Sequence, residues 1–132
     1  MAYNKAKAKH IRLGARGERL AARLLRGKNY SILCRNFKVR SGEIDLVARD
    51  GDTLVFVEVK TRRHTTRSRP AEGLSAKQKR RIYNAAQSYL RSIDNPDIVF
   101  RFDLIELILS PWGPKEVRHW ENNFSRPAAY GV

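Results

Sequence analysis

Apolar and polar positions along this chain of 132 residues follow two different periods. Over 10–26 the period is helical. Ile11, Ala15, Ala22 and Leu25 succeed one another at helical spacings, and Arg12, Arg16, Arg19, Arg23 and Arg26 fall within a separate arc of roughly 80°. The pattern predicts an amphipathic helix over 10–26, stopped by Gly27 with Lys28 and Asn29 behind it. Residues 1–9, MAYNKAKAK, read as an irregular basic tail or the start of that helix.

From Tyr30 the pattern becomes that of strands. YSILCRNFKVR (30–40) is followed by a turn at Ser41-Gly42 and by EIDLVAR (43–49). Asp50-Gly51-Asp52 reads as a hairpin turn, because Asp-Gly tolerates left-handed backbone, and TLVFVEVKT (53–61) returns antiparallel. Residues 62–73 lack apolar periodicity and read as a basic loop. Ser75 is the expected N-cap of a helix reaching about residue 93, with Ile82, Ala85, Ala86, Tyr89, Leu90 and Ile93 as its apolar face. IVFRFDLIELIL (98–109) and KEVRHWE (115–121) are the last strands, joined through PWGP, and 122–132 read as an irregular tail. The order α-β-β-β-α-β-β predicts one α/β domain over 1–132, a central mixed β-sheet flanked by helices.

Three charges interrupt the apolar centre of this sheet. Side chains alternate along a strand, so Glu43 and Asp45 share one face of their strand, and Glu58 and Lys60 share one face of theirs. A hairpin turning at Gly51 pairs positions summing to about 103, which sets Asp45 opposite Glu58. Facing carboxylates repel unless a cation bridges them, and Mg²⁺ takes oxygen ligands, commonly one or two carboxylates. Lys60, beside Glu58, suits orienting a water or neutralising a phosphate. Glu18, the only acid of the first helix, falls in its apolar arc and should point at the sheet; Gln78 and Lys79 on the second helix could reach the same place. An internal ion-pair network is the competing account. Three acids for one lysine leave excess negative charge, which suits a cation better.

Composition then narrows the partner. Lys and Arg number 27 against 13 acids, a net charge of +14 with a pI of about 10.6. A domain this basic is expected to meet a polyanion, nucleic acid before an anionic membrane. Of that charge, +8 lies between Lys60 and Arg81, where nine basic residues face one acid, Glu72. Arg62, Arg63, Arg67, Arg69, Lys77, Gln78, Lys79, Arg80 and Arg81 are the expected nucleic-acid contacts. The single Cys34 excludes an internal disulfide, and His10, His64 and His119 lack zinc-ligand spacing. With no apolar run of membrane-spanning length and no leader pattern, a cytoplasmic location is expected.

GxxGExxAxxLL (14–25), GEIDLVARDGDTLVFVEVKTR (42–62) and RFDLIEL (101–107) together resemble the YraN-like family of small uncharacterised bacterial proteins. Asp45, with Glu58-Val59-Lys60 after a gap of twelve residues, also resembles the PD-(D/E)XK signature of the restriction-endonuclease-like superfamily. That resemblance implies that Asp45 and Glu58 bind Mg²⁺ or Mn²⁺, with the Val59 backbone carbonyl as a further ligand. It implies that Lys60 assists a nucleophilic water and that Glu18 matches the helix glutamate of junction resolvases in the superfamily. The signature's proline is absent, Ile44 standing before Asp45.

The expected function is therefore Mg²⁺-dependent endonuclease action on DNA, branched or junction DNA included, with a homodimer suggested by the same resemblance. The alternative is a nucleic-acid-binding protein that keeps the nuclease fold without turnover. Membrane association through the arginine face of the first helix is weaker, because Gly14, Ala15 and Ala22 suit packing on a sheet better than insertion into lipid.

Overall fold

The computed structural model describes residues 2–63 and 74–125, and the side chains of the first helix from Leu13 onward. Its elements are α1 (Ala2–Gly27), β1 (Ser31–Val39), β2 (Gly42–Asp50), β3 (Thr53–Arg63), α2 (Ala76–Ser92), β4 (Val99–Ser110) and β5 (Gly113–Phe124). The α-β-β-β-α-β-β order is as expected. The strands form one mixed sheet in the order β1-β2-β3-β4-β5. Only β3 and β4 run parallel, as a connection through α2 requires.

Local sequence accounts for most boundaries. Asp50 pairs with Thr53 around a two-residue turn whose first member, Gly51, has φ +60, the position where a hairpin of this kind wants glycine. Ser75 and Gln78 cap α2 reciprocally: Ser75 Oγ accepts from the Gln78 N–H, and Gln78 Oε1 accepts from the Ser75 N–H. The left-handed residue closing α1 is Asn29 (φ 67) rather than Gly27, and the Tyr30 N–H donates back to the Leu25 carbonyl at 2.9 Å. α1 already begins at Ala2. β3 runs two residues past Thr61, because its parallel pairing continues through Arg62 with Ile108 and Arg63 with Leu109. β5 likewise extends to Phe124.

The core lies on both faces of the sheet. On one, Ile82, Tyr83, Ala85 and Ala86 of α2 pack with Ile44, Val47, Leu54, Phe56, Phe102 and Leu104. On the other, Ala21, Ala22 and Leu25 of α1 pack with Leu46, Ala48, Val55, Val57, Ile105, Leu107 and Leu109. Burying each large side chain stabilises the fold by about 1.5–3 kcal/mol.

The buried stripe of α1 is rotated from the expected one: Ala15 is exposed and Gly14 has open space around it. Close approach occurs instead at Gly17, where any Cβ would run into the Thr61 side chain of β3. Arg19, Arg23 and Arg26 are exposed, as their arc predicts. Gly42 makes the corresponding approach to α2, against the Arg81 carbonyl.

Candidate functional site

The site forms where β2 and β3 separate. Their main-chain pairing runs from Asp50 with Thr53 to Leu46 with Val57, in the expected register, and ends there. Asp45 and Glu58 occupy the next step. The Val59 N–H, beyond the last main-chain pair with β2, donates to the side chain of Asp45, Oδ2 at 2.8 Å. A carboxylate thus replaces the main-chain carbonyl that the next rung would supply.

Glu58 and Lys60 are half-buried, as is Asp45. Burial pushes the Glu58 carboxyl far up, to about 10, and the hydrogen bond and charge of Asp45 add to this; Glu43 acts in the same direction, while Lys60 opposes it. A hydrogen bond thus links the two carboxyl groups across the gap between strands. Glu18 joins from α1, held over the gap by the close packing of Gly17 on Thr61. Its carboxyl is also raised, by burial first and by Asp45 second, while the Asn36 side chain and Lys38 lower it. Asp45 is the centre of the group, interacting with Glu18 on one side and Glu58 on the other.

Asn36 was not singled out by its residue type. It lies on β1 between the pairs Arg35 with Leu46 and Phe37 with Ile44, and so beside Asp45. Its φ of 52 is left-handed, unusual within a paired strand, and its amide hydrogen-bonds to Glu18. Asparagine is among the few side chains that tolerate this backbone, which is the only hint the sequence carries.

Other expected members fall elsewhere. Gln78 is committed to capping α2, and the Lys79 ammonium sits 6.0 Å from the Phe124 ring centre, so both have structural engagements away from the acids. Lys77, Arg80 and Arg81 are exposed on α2; Arg62 is half-buried and Arg63 exposed at the end of β3. Arg67 and Arg69 lie outside the described residues.

A second polar cluster lay hidden in the RFDLIEL strand. Asp103 is fully buried and accepts from Arg101 Nε at 3.0 Å, from the Asn122 N–H at 2.9 Å and from His119 Nε2 at 2.8 Å. Lys28 Nζ lies 2.8 Å from His119 Nδ1, and Arg101 also reaches Asp50 and the Tyr30 hydroxyl. No buried side-chain polar atom among the described residues lacks a partner, so this cluster reads as a lock on the fold.

The family model for Uncharacterised protein family UPF0102 matches residues 17–107. The chain belongs to this family. The match takes in Glu18, the whole hairpin and RFDLIEL. Among UPF0102 relatives, the protein of Geobacter sulfurreducens is 47% identical over 113 residues, covering 85% of this chain and 88% of its own. Those of Symbiobacterium thermophilum (42% identical; 86% and 96% covered) and Chlorobaculum tepidum (41%; 83% and 84%) are similar over nearly the same span. Among the described residues, no helix of this UPF0102 protein is long and apolar enough to cross a membrane.

Proposed function

We propose that this UPF0102 protein is a metal-dependent endonuclease of the PD-(D/E)XK type acting on DNA. The observation that carries the reading is the Asp45–Glu58 pair, hydrogen-bonded to each other at the opening of the β2–β3 ladder, where a divalent cation would compensate both charges. Their donor chemistry fits Mg²⁺ or Mn²⁺, which take hard oxygens and commonly one or two carboxylates. The Val59 carbonyl leaves β3 on the same side as its N–H, and so adds a third oxygen facing the gap. Such an ion, when bound, polarises a phosphoryl oxygen and lowers the pKa of a water.

The chain's own residues do the rest. Lys60, neighbour to Glu58 on the same face, orients the attacking water and balances negative charge at the phosphate. Glu18 sets the charge around Asp45 and is itself oriented by Asn36. Arg62 and Arg63, at the downstream end of β3, hold the phosphodiester backbone, as do Lys77, Arg80 and Arg81 of α2.

The test is a cleavage screen with Mg²⁺ and Mn²⁺ over linear, flapped and branched DNA. Asp45→Ala and Lys60→Ala should abolish cleavage and leave binding largely intact. Equal cleavage by the wild type and both variants would trace the activity to a contaminant. One observation favours the non-catalytic alternative: among the described residues, no three His, Cys, Asp or Glu side chains converge as a ready ligand set. That alternative predicts salt-sensitive binding without cleavage on any of these substrates.

A further inference from the structure

The turn joining β4 to β5 presents a tryptophan to solvent. Trp112 is 96% exposed, so folding alone gives no reason for a side chain of this size there. The turn is braced. Ser110 Oγ donates to the Gly113 carbonyl at 3.0 Å and accepts from the Trp112 N–H at 3.2 Å, and Pro111 and Pro114 flank the pair. Gly113 takes a φ of +132, which glycine alone adopts readily. The backbone that carries Trp112 is thus fixed in advance.

Register places this turn relative to the candidate site. β3 and β4 are parallel, with Lys60 level with Glu106 and Arg63 level with Leu109, which in turn pairs with Pro114. Arg62 and Arg63 therefore lie at the same end of the sheet as the turn. Ser110 is four residues beyond Glu106, so the turn stands roughly 13–20 Å along the sheet from Lys60. That distance spans about four to six stacked nucleotide steps of about 3.4 Å. The surroundings are basic: Arg62, Arg63 and Lys115 are close in register, and Glu116 is held by Arg118, 2.6 Å from Nε to Oε1.

We infer that Trp112 is a stacking platform for an unpaired nucleobase, so that the preferred substrate carries a single-stranded segment a few nucleotides from the phosphate at Lys60. A flat aromatic face beside cations is the combination that single strands require, since every base has a π-face and every nucleotide a charge. A second copy of this chain fits the turn less well, because its net charge of +14 would be brought against the same arginines. This inference rests on the nuclease reading and refines its substrate.

The test uses the full chain carrying Trp120→Phe, which leaves Trp112 as the single tryptophan, in EDTA so that binding is read without cleavage. Trp112 emission should be quenched by oligothymidine and by a flapped duplex, and much less by a blunt duplex. Trp112→Ala should weaken single-strand and flap binding roughly 5- to 150-fold while changing blunt-duplex binding less than about twofold, and Trp112→Phe should recover most of the loss. Unchanged single-strand affinity in Trp112→Ala would overturn the platform and leave the nuclease reading standing. A dimer-to-monomer shift with unchanged affinity would assign the turn to self-association instead. Absence of any nucleic-acid binding by the wild type would overturn both readings.

Discussion

The Val59 N–H donates to Asp45 Oδ2 at the first step beyond the last main-chain pair of β2 and β3, Leu46 with Val57. One carboxylate oxygen thus completes the sheet while the side chain also faces Glu58. Two roles in one residue can be separated by substitution. Asp45→Asn keeps an oxygen for the Val59 N–H and should leave the urea midpoint nearly unchanged. Asp45→Ala orphans that donor and should cost about 1–3 kcal/mol. Both should lose cleavage. A loss of activity that tracked stability across the two variants would mean that Asp45 serves the fold alone.

The raised Glu58 carboxyl gives the protein an unusual pH response. A carboxyl whose folded pKa is raised favours the folded state while it stays protonated. The Glu58 contribution is therefore fully present below its ordinary value of 4.5 and is lost as pH rises towards about 10. In EDTA the melting temperature should decline across that window, and Glu58→Gln should flatten the decline. Mg²⁺ or Mn²⁺ should raise the melting temperature, more at pH 8 than at pH 5, because the ion must displace the Glu58 proton and fewer protons compete at pH 8. Thermal melts at several pH values, with and without Mn²⁺, measure this directly.

The hairpin was legible because its signals are local. Asp-Gly fixes the turn, the turn fixes the register, and the register sets Asp45 beside Glu58. Glu18 was legible from its place in the helical arc. What escaped depends on contacts distant in sequence or on backbone state. Gly14 and Ala15 read as packing residues, yet Gly17 makes the contact, because the phase of the buried stripe is set by where β3 passes beneath the helix. Gln78 is placed by sequence where it could reach the acids, but its side chain is claimed by the Ser75 N–H three residues away. Asp103 read as one residue of a strand. Its partner His119 lies across a register shift between β4 and β5 that no local pattern encodes.

Asn36 links a left-handed backbone to the chemistry of Glu18, and substitution can separate the two. Asn36→Gly keeps the φ of 52 without strain but deletes the amide that reaches Glu18. It should leave stability within about 0.5 kcal/mol and lower cleavage roughly 10- to 100-fold, the usual loss when a partner orienting a site residue is removed. Asn36→Ala should lose a similar factor and also about 1–2 kcal/mol from the backbone. Full activity in Asn36→Gly would show that Glu18 needs no orienting partner.

The contact of Gly17 with Thr61 sets the distance between α1 and β3 immediately beside Glu18. Gly17→Ala should push the helix outward and destabilise the protein by about 1–3 kcal/mol, the usual cost of overpacking. Adding Thr61→Ala in the same chain removes the hydroxyl that the new Cβ meets first and should recover part of both stability and cleavage. An unchanged urea midpoint in Gly17→Ala would show that the helix can yield there without cost.

Asp103 makes the opposite prediction to Glu58 and provides the control for it. Burial raises its pKa, but hydrogen bonds from His119, Arg101 and the Asn122 N–H outweigh that, and the net displacement is downward from 3.8. Stability from this group is therefore present above pH 3.8 and lost as pH falls through the lowered value. Asp103→Asn removes the charge that Arg101 faces and should cost about 3–5 kcal/mol, as breaking one side of a buried ion pair does. It should also blunt the acid limb of the stability profile without touching the alkaline decline assigned to Glu58. Asp103 is level with Val57, beside Glu58, but strand alternation turns its side chain to the opposite face of the sheet, so cleavage by the folded fraction should keep its pH profile. Urea unfolding from pH 2 to pH 9 for the wild type, Asp103→Asn and Glu58→Gln separates the two limbs. A single variant that abolished both would mean that the two clusters act as one.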